Sequence, residues 1–187
     1  AFQGGAAKFL SLAKKHTDAA KPEIRRQLLL VESKLLRAKD EHAKAIATLE
    51  SYIREFEANR GDNEEDPYVY HDLAEIYWTR SKRRSVKDAQ EAEKNYGSAC
   101  ALMKARVDSL TRQASTDPAA AVALAELDVL FWTWELDYVK AKLFLGEAGD
   151  ANKFGEIINL VRPQTGSEMG GLREEFRAIL EQAEEKK

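Results

Sequence analysis

Cysteine occurs once in 187 residues, so no internal disulfide can staple this fold. That residue, Cys100, stands among Ala99, Ala101, Leu102 and Met103, where it reads as a small buried hydrophobe rather than a reactive thiol. Glycine (10) and proline (4) are also scarce, which excludes a flexible low-complexity chain. Alternating β-branched runs are missing, so no strand is expected. Acidic residues outnumber basic ones by only 32 to 29, which leaves no global field to attract nucleic acid or anionic lipid. No nucleic-acid partner is expected. The most apolar stretch, residues 119–134, is broken by Glu126 and Asp128, and no run of ~20 apolar residues is present to span a membrane.

Chemistry-bearing patterns are equally thin. His16, His42 and His71 fall on separate expected helices, with no cysteine partner and no H-E-x-x-H spacing, so neither a metal site nor a cofactor is expected. There is no G-x-S-x-G, no phosphate-binding glycine loop and no dinucleotide fingerprint, and Gly170-Gly171 reads as a flexible lead into a helix. Carboxylates occur in runs, Glu64-Glu65-Asp66, Glu91 with Glu93, and Glu174-Glu175, that suit solvated faces better than an acid–base pair. A non-enzymatic chain is expected. The opening Ala1-Phe2-Gln3-Gly4-Gly5 lacks an initiator methionine and a signal-peptide pattern, which suggests an excised piece of a longer protein and leaves the compartment open.

What is abundant is helix-forming material, 44% hydrophobic and 33% charged, enough for a core that buries roughly 70% of the unfolded surface. Caps and breakers predict helices over residues 6–16, 22–59, 68–80, 86–113, 119–145, 151–161 and 172–183. Residues 22–59 exceed a usual globular helix and are divided near 38–41 into two antiparallel helices. Asp66-Pro67 and Asp117-Pro118 give the same start signal twice, a capping acid followed by a first-turn proline. Gly146-Glu147-Ala148-Gly149-Asp150 is a turn, and Pro163 ends the helix before it.

The helices show a periodic likeness. Tyr70-x2-Leu73-Ala74-x2-Tyr77, followed by Ala92-x3-Tyr96-x2-Ala99, sets large, leucine, small and aromatic side chains in a helix pair. An earlier pair has Leu29, Ser33 and Leu36, then Ala45-x3-Leu49. A later pair has Ala141 and Phe144, then Phe154, Ile157, Ile158 and Val161, although Asp137 and Lys140 stand where its opening aromatic and leucine belong. Ala6-x3-Leu10-x2-Ala13 looks like a second helix without its first. The pattern resembles the tetratricopeptide repeat. The resemblance implies an all-α fold of antiparallel helix pairs forming a short solenoid: a half repeat at 6–16, repeats at 26–59, 67–113 (with an insertion) and 119–163, and a capping helix at 172–185. Ser33, Ala74, Ala92, Ala99 and Ala141 would let helix axes approach to about 8–10 Å. An irregular helical bundle is the alternative.

After the packing positions are removed, Tyr68, His71, Glu75 and Trp78 remain as one helical stripe. In the family the first helices of successive repeats line the concave face, so the resemblance places this stripe in a partner-binding groove, with Gln27, Lys34 and Arg37 before it and Tyr138 and Lys142 after it. The alternative is that Tyr68 and Trp78 pack against the polar acidic loop expected at residues 61–66 or the helix after Val86. Phe131, Trp132 and Trp134 crowd a helix that reads as buried on two sides rather than as a ligand cage. Arg80, Lys82, Arg83, Arg84 and Lys87 read as a solvated basic segment. The expected function is a scaffold for a protein or peptide partner; a self-associating structural subunit and a receptor for a small ligand are the rivals.

Overall fold

The computed structural model describes residues 22–58, 65–81, 85–164 and 169–187, and every regular element among them is a helix. The expected helix at 6–16, with His16, and the basic residues 82–84 lie outside the described residues. So does most of the acidic loop, although its Glu65 and Asp66 are described. The chain divides into two compact units, Ala1–Glu65 and Asp66–Lys187.

In the first unit, α1 (Pro22–Ala38) and α2 (His42–Ala58) pack on each other. The expected break falls at Asp40, whose φ of 62° is the left-handed conformation that closes a helix. Glu41 N–H reaches back to the Leu36 carbonyl at 2.9 Å, an acceptor it shares with Lys39 N–H at 3.1 Å, so the helix end is closed. Ser33 on α1 and Ala45, Ile46 and Leu49 on α2 are buried. Ser33 stays satisfied by donating its hydroxyl to the Leu30 carbonyl at 3.0 Å.

The second unit is a run of helices in which each packs on the next: α3 (Pro67–Ser81), α4 (Val86–Gln113), α5 (Pro118–Glu147), α6 (Asn152–Val161) and α7 (Arg173–Lys186). Both Asp-Pro signals start helices, since Asp66 Oδ1 accepts from Tyr68 N–H at 3.1 Å and Asp117 Oδ1 from Ala119 N–H at 2.9 Å. Ser85 caps α4 through Asp88 N–H. α7 buries Phe176, Ile179, Leu180 and Ala183 and keeps Arg173, Glu174, Glu181, Glu184 and Glu185 exposed, the one-sided pattern read from its sequence.

Two local expectations are corrected. Gly146 is helical rather than part of the turn, because Phe154 lies over it; a methyl group there would come within 2.7 Å of that ring. The turn is made by Gly149 at φ 117°, with Asp150 N–H bonded to the Leu145 carbonyl. Gly170-Gly171 is not a loose lead into α7. Met169 is buried in the α5–α6–α7 core, and a methyl group on Gly170 would meet Trp132 Cβ at 3.2 Å and Val129 Cα at 3.3 Å.

Ala74, Ala92, Tyr96 and Ala141 are fully buried in one cluster, so small residues from α3, α4 and α5 meet where their axes approach. Ala74→Leu is expected to cost about 1–3 kcal/mol by overpacking that contact. An unchanged urea midpoint would show that the contact can dilate.

Candidate functional site

Helices α3 and α5 both pack on α4, and their side chains meet in a seam that gathers five of the nine residues expected to bind a partner, Tyr68, His71, Glu75, Trp78 and Tyr138. Tyr68, His71, Glu75 and Trp78 share one face of α3 and are all half-buried. Tyr68 sets its ring edge-on to Trp134 of α5, with centroids 5.3 Å apart. His71 stacks on the same indole at 4.3 Å and 15°, and its ring also approaches Tyr96 of α4. Glu75 Oε1 accepts the Tyr96 hydroxyl at 2.5 Å. Trp78 meets Phe144 of α5 edge-on at 5.7 Å. Tyr68 and Trp78 thus meet rings of α5, and they also pack against clusters that include Ala99, Cys100 and Met103, and Ala92 and Tyr96, of the helix after Val86, as the alternative expected.

Tyr138 is half-buried over Gly97 of α4, where an added methyl group would sit 3.2 Å from its hydroxyl oxygen. Lys142 requires a correction. Its side chain is 6% exposed, with Nζ 4.5 Å from the Tyr138 ring centroid, 2.7 Å from Glu93 Oε1 and bonded to Glu156. Lys153 bonds the same two carboxylates. Burial pulls the Lys142 ammonium down, but the hydrogen bonds to Glu156, Glu93 and Tyr138 outweigh it and hold the pKa above the ordinary lysine value. Lys142 ties α4, α5 and α6 together and presents no charge to a partner. In the first unit, Gln27 and Lys34 are exposed and Arg37 is half-buried on α1.

Sequence reasoning missed Asp137. It stands on α5 opposite His71, with Oδ2 3.9 Å from His71 Nε2, while Oδ1 lies 3.7 Å from Lys140 Nζ. His71, Glu75 and Asp137 bring one potential ligand atom each within 4.8 Å of one another. His71 and Glu75 are one helical turn apart, and that spacing was the available signal.

Away from the seam, Phe131, Trp132 and Glu135 of α5, with Lys104, Leu160, Val161, Gln164, Met169 and Phe176, line a cleft of about 170 Å³. Burial pushes the Glu135 carboxyl up to about 7, against the pull of Lys104 and Lys142. The cleft is smaller than the roughly 300 Å³ at which ligand pockets begin. Cys100 is buried as expected, and burial raises its thiol pKa well above the ordinary range. No helix among the described residues is long and apolar enough to cross a membrane.

Comparison of the chain with protein-family models, curated proteins and solved structures finds no match.

Proposed function

We propose that the chain is a non-catalytic scaffold of tetratricopeptide type that binds a protein or peptide partner through the α3–α5 seam. The observation that supports this reading is the pair of half-buried aromatics, Tyr68 and Trp78, near the two ends of one helical stripe. Large aromatic side chains held by packing but still open to solvent are the usual affinity anchors of an interface. Ring contacts with Trp134 and Phe144 fix both anchors before a partner arrives, which lowers the entropy lost on binding. His71 and Glu75 hold the seam between them. Gln27, Lys34 and Arg37 form a separate candidate surface in the first unit.

Capture from a native lysate on immobilised chain, compared with Trp78→Ala, tests the reading. The substitution is expected to weaken capture by about 2 kcal/mol or more while changing folding stability by less than about 1 kcal/mol. Retained capture together with a folding loss of about 3–5 kcal/mol would make Trp78 a core residue and remove it from the site.

Self-association is the second reading, and a specific surface favours it. Val122 and Val129 of α5 are 64% and 52% exposed, two turns apart on one face. A monomer by light scattering at high concentration would set it aside.

A further inference from the structure

We propose that His71, Glu75 and Asp137 form a binding site for one divalent first-row transition-metal ion of the zinc class, clamping α3 to α5. This inference does not depend on the partner-binding reading.

The imidazole is the first part of the case. His71 Nε2 is buried and makes no hydrogen bond among the described residues, although the ring is held in place by stacking on Trp134. A buried ring nitrogen without a partner is costly and rare. The nearest carboxylate oxygen on α5, Asp137 Oδ2, is 3.9 Å away. That separation is too long for a hydrogen bond and too short for a water molecule in line between the two atoms. It is close to the roughly 3–4 Å between two ligands that share a zinc ion at bonds of about 2.0–2.2 Å.

The third donor and its support complete the set. Glu75 lies one turn after His71 on the same face of α3, and all three donor atoms already lie within 4.8 Å of one another. The Tyr96 hydroxyl bonded to Glu75 Oε1 orients that carboxylate from α4, as outer-shell donors do in metal sites. Asp137 Oδ1 faces Lys140 while Oδ2 turns toward His71.

The donor chemistry selects the ion. One neutral imidazole and two carboxylates balance a dication, and mixed nitrogen and oxygen donors suit zinc, iron(II) or manganese(II) better than calcium, which takes six to eight oxygens. Three protein ligands leave a coordination position for water.

The test uses the full chain, freed of metal and titrated with Zn2+ against a chromophoric chelator, with Co2+ absorption as a second readout. One equivalent of Zn2+ is expected to bind, raising the thermal midpoint, and Co2+ should give the visible bands of a low-coordinate nitrogen–oxygen site. His71→Phe keeps a ring on Trp134 but removes the nitrogen, and Asp137→Asn keeps the shape but removes the charge. Each should weaken Zn2+ binding by more than about tenfold, the scale at which even outer-shell partners act, with metal-free helicity retained. His42→Gln should leave it unchanged. Absence of stoichiometric Zn2+ binding to the unaltered chain overturns the proposal. So does binding that survives in both His71→Phe and Asp137→Asn, which would place the ion elsewhere.

Discussion

Trp134→Ala is expected to destabilise the second unit by about 3–5 kcal/mol, the range for removing a buried aromatic side chain. The indole is 3% exposed and packs with Ala99, Cys100, Met103 and Phe131. It also carries two α3 side chains, Tyr68 edge-on and His71 face-on, so truncation would open a cavity where three helices meet. Collapse around that cavity is limited, because Ala99 has no longer side chain to swing in and Phe131 is engaged edge-on with Trp132. In urea denaturation the midpoint should fall steeply, and the thermal midpoint should drop by on the order of 10 °C. Trp78→Ala, which removes a half-buried ring, should do much less. If Trp134→Ala costs under about 1 kcal/mol, Trp134 does not organise the seam, and both functional proposals lose their support.

The contrast between Trp134 and Trp78 shows what the sequence made legible and what it did not. Local chemistry was readable: the Asp-Pro starts of α3 and α5, the break near Asp40 and the one-sided face of α7 each depend on residues within a turn or two. The small residues Ala74, Ala92, Ala99 and Ala141 were correctly read as buried, because a missing side chain on an apolar stripe admits a close neighbour. The Gly146 turn was misread because glycine near a helix end usually marks its stop. Here it marks the landing place of Phe154, a tertiary contact that helix periodicity does not encode.

The candidate site was legible on α3 alone. A stripe at helical spacing says which residues share a face, but not what lies opposite. From the sequence Lys142 reads as a groove residue, because its partners, Glu93 and Glu156, are 49 and 14 residues distant and become neighbours only when three helices pack. Asp137 gives no signal of its own in the sequence, since it occupies a repeat position where an aromatic is expected. Its departure from that pattern is what supplies a carboxylate to the seam.

Glu135 gives the second large effect, and its sign is opposite to that of an ordinary paired carboxylate. Its carboxyl titrates near 7 in the folded chain against an ordinary 4.5, because burial in the cleft beside Phe131, Trp132 and Phe176 disfavours the charge. The protonated form suits the fold, so its contribution is fully present below pH 4.5 and is lost as pH rises through about 7. At about 1.4 kcal/mol per pH unit, that interval amounts to roughly 3 kcal/mol. Glu156 behaves in reverse: burial raises its pKa, the hydrogen bonds from Lys142 and Lys153 outweigh that and hold it low, and it loses its contribution only at more acid pH. Urea stability measured from pH 4.5 to 8 should therefore fall for the unaltered chain relative to Glu135→Gln, which keeps the shape and cannot ionise. The difference between the two curves removes histidine titrations common to both, and at pH 8 the glutamine variant should be the more stable by up to roughly 3 kcal/mol. Parallel curves across that range would mean that Glu135 is as well hydrated folded as unfolded, and that the cleft is open to water.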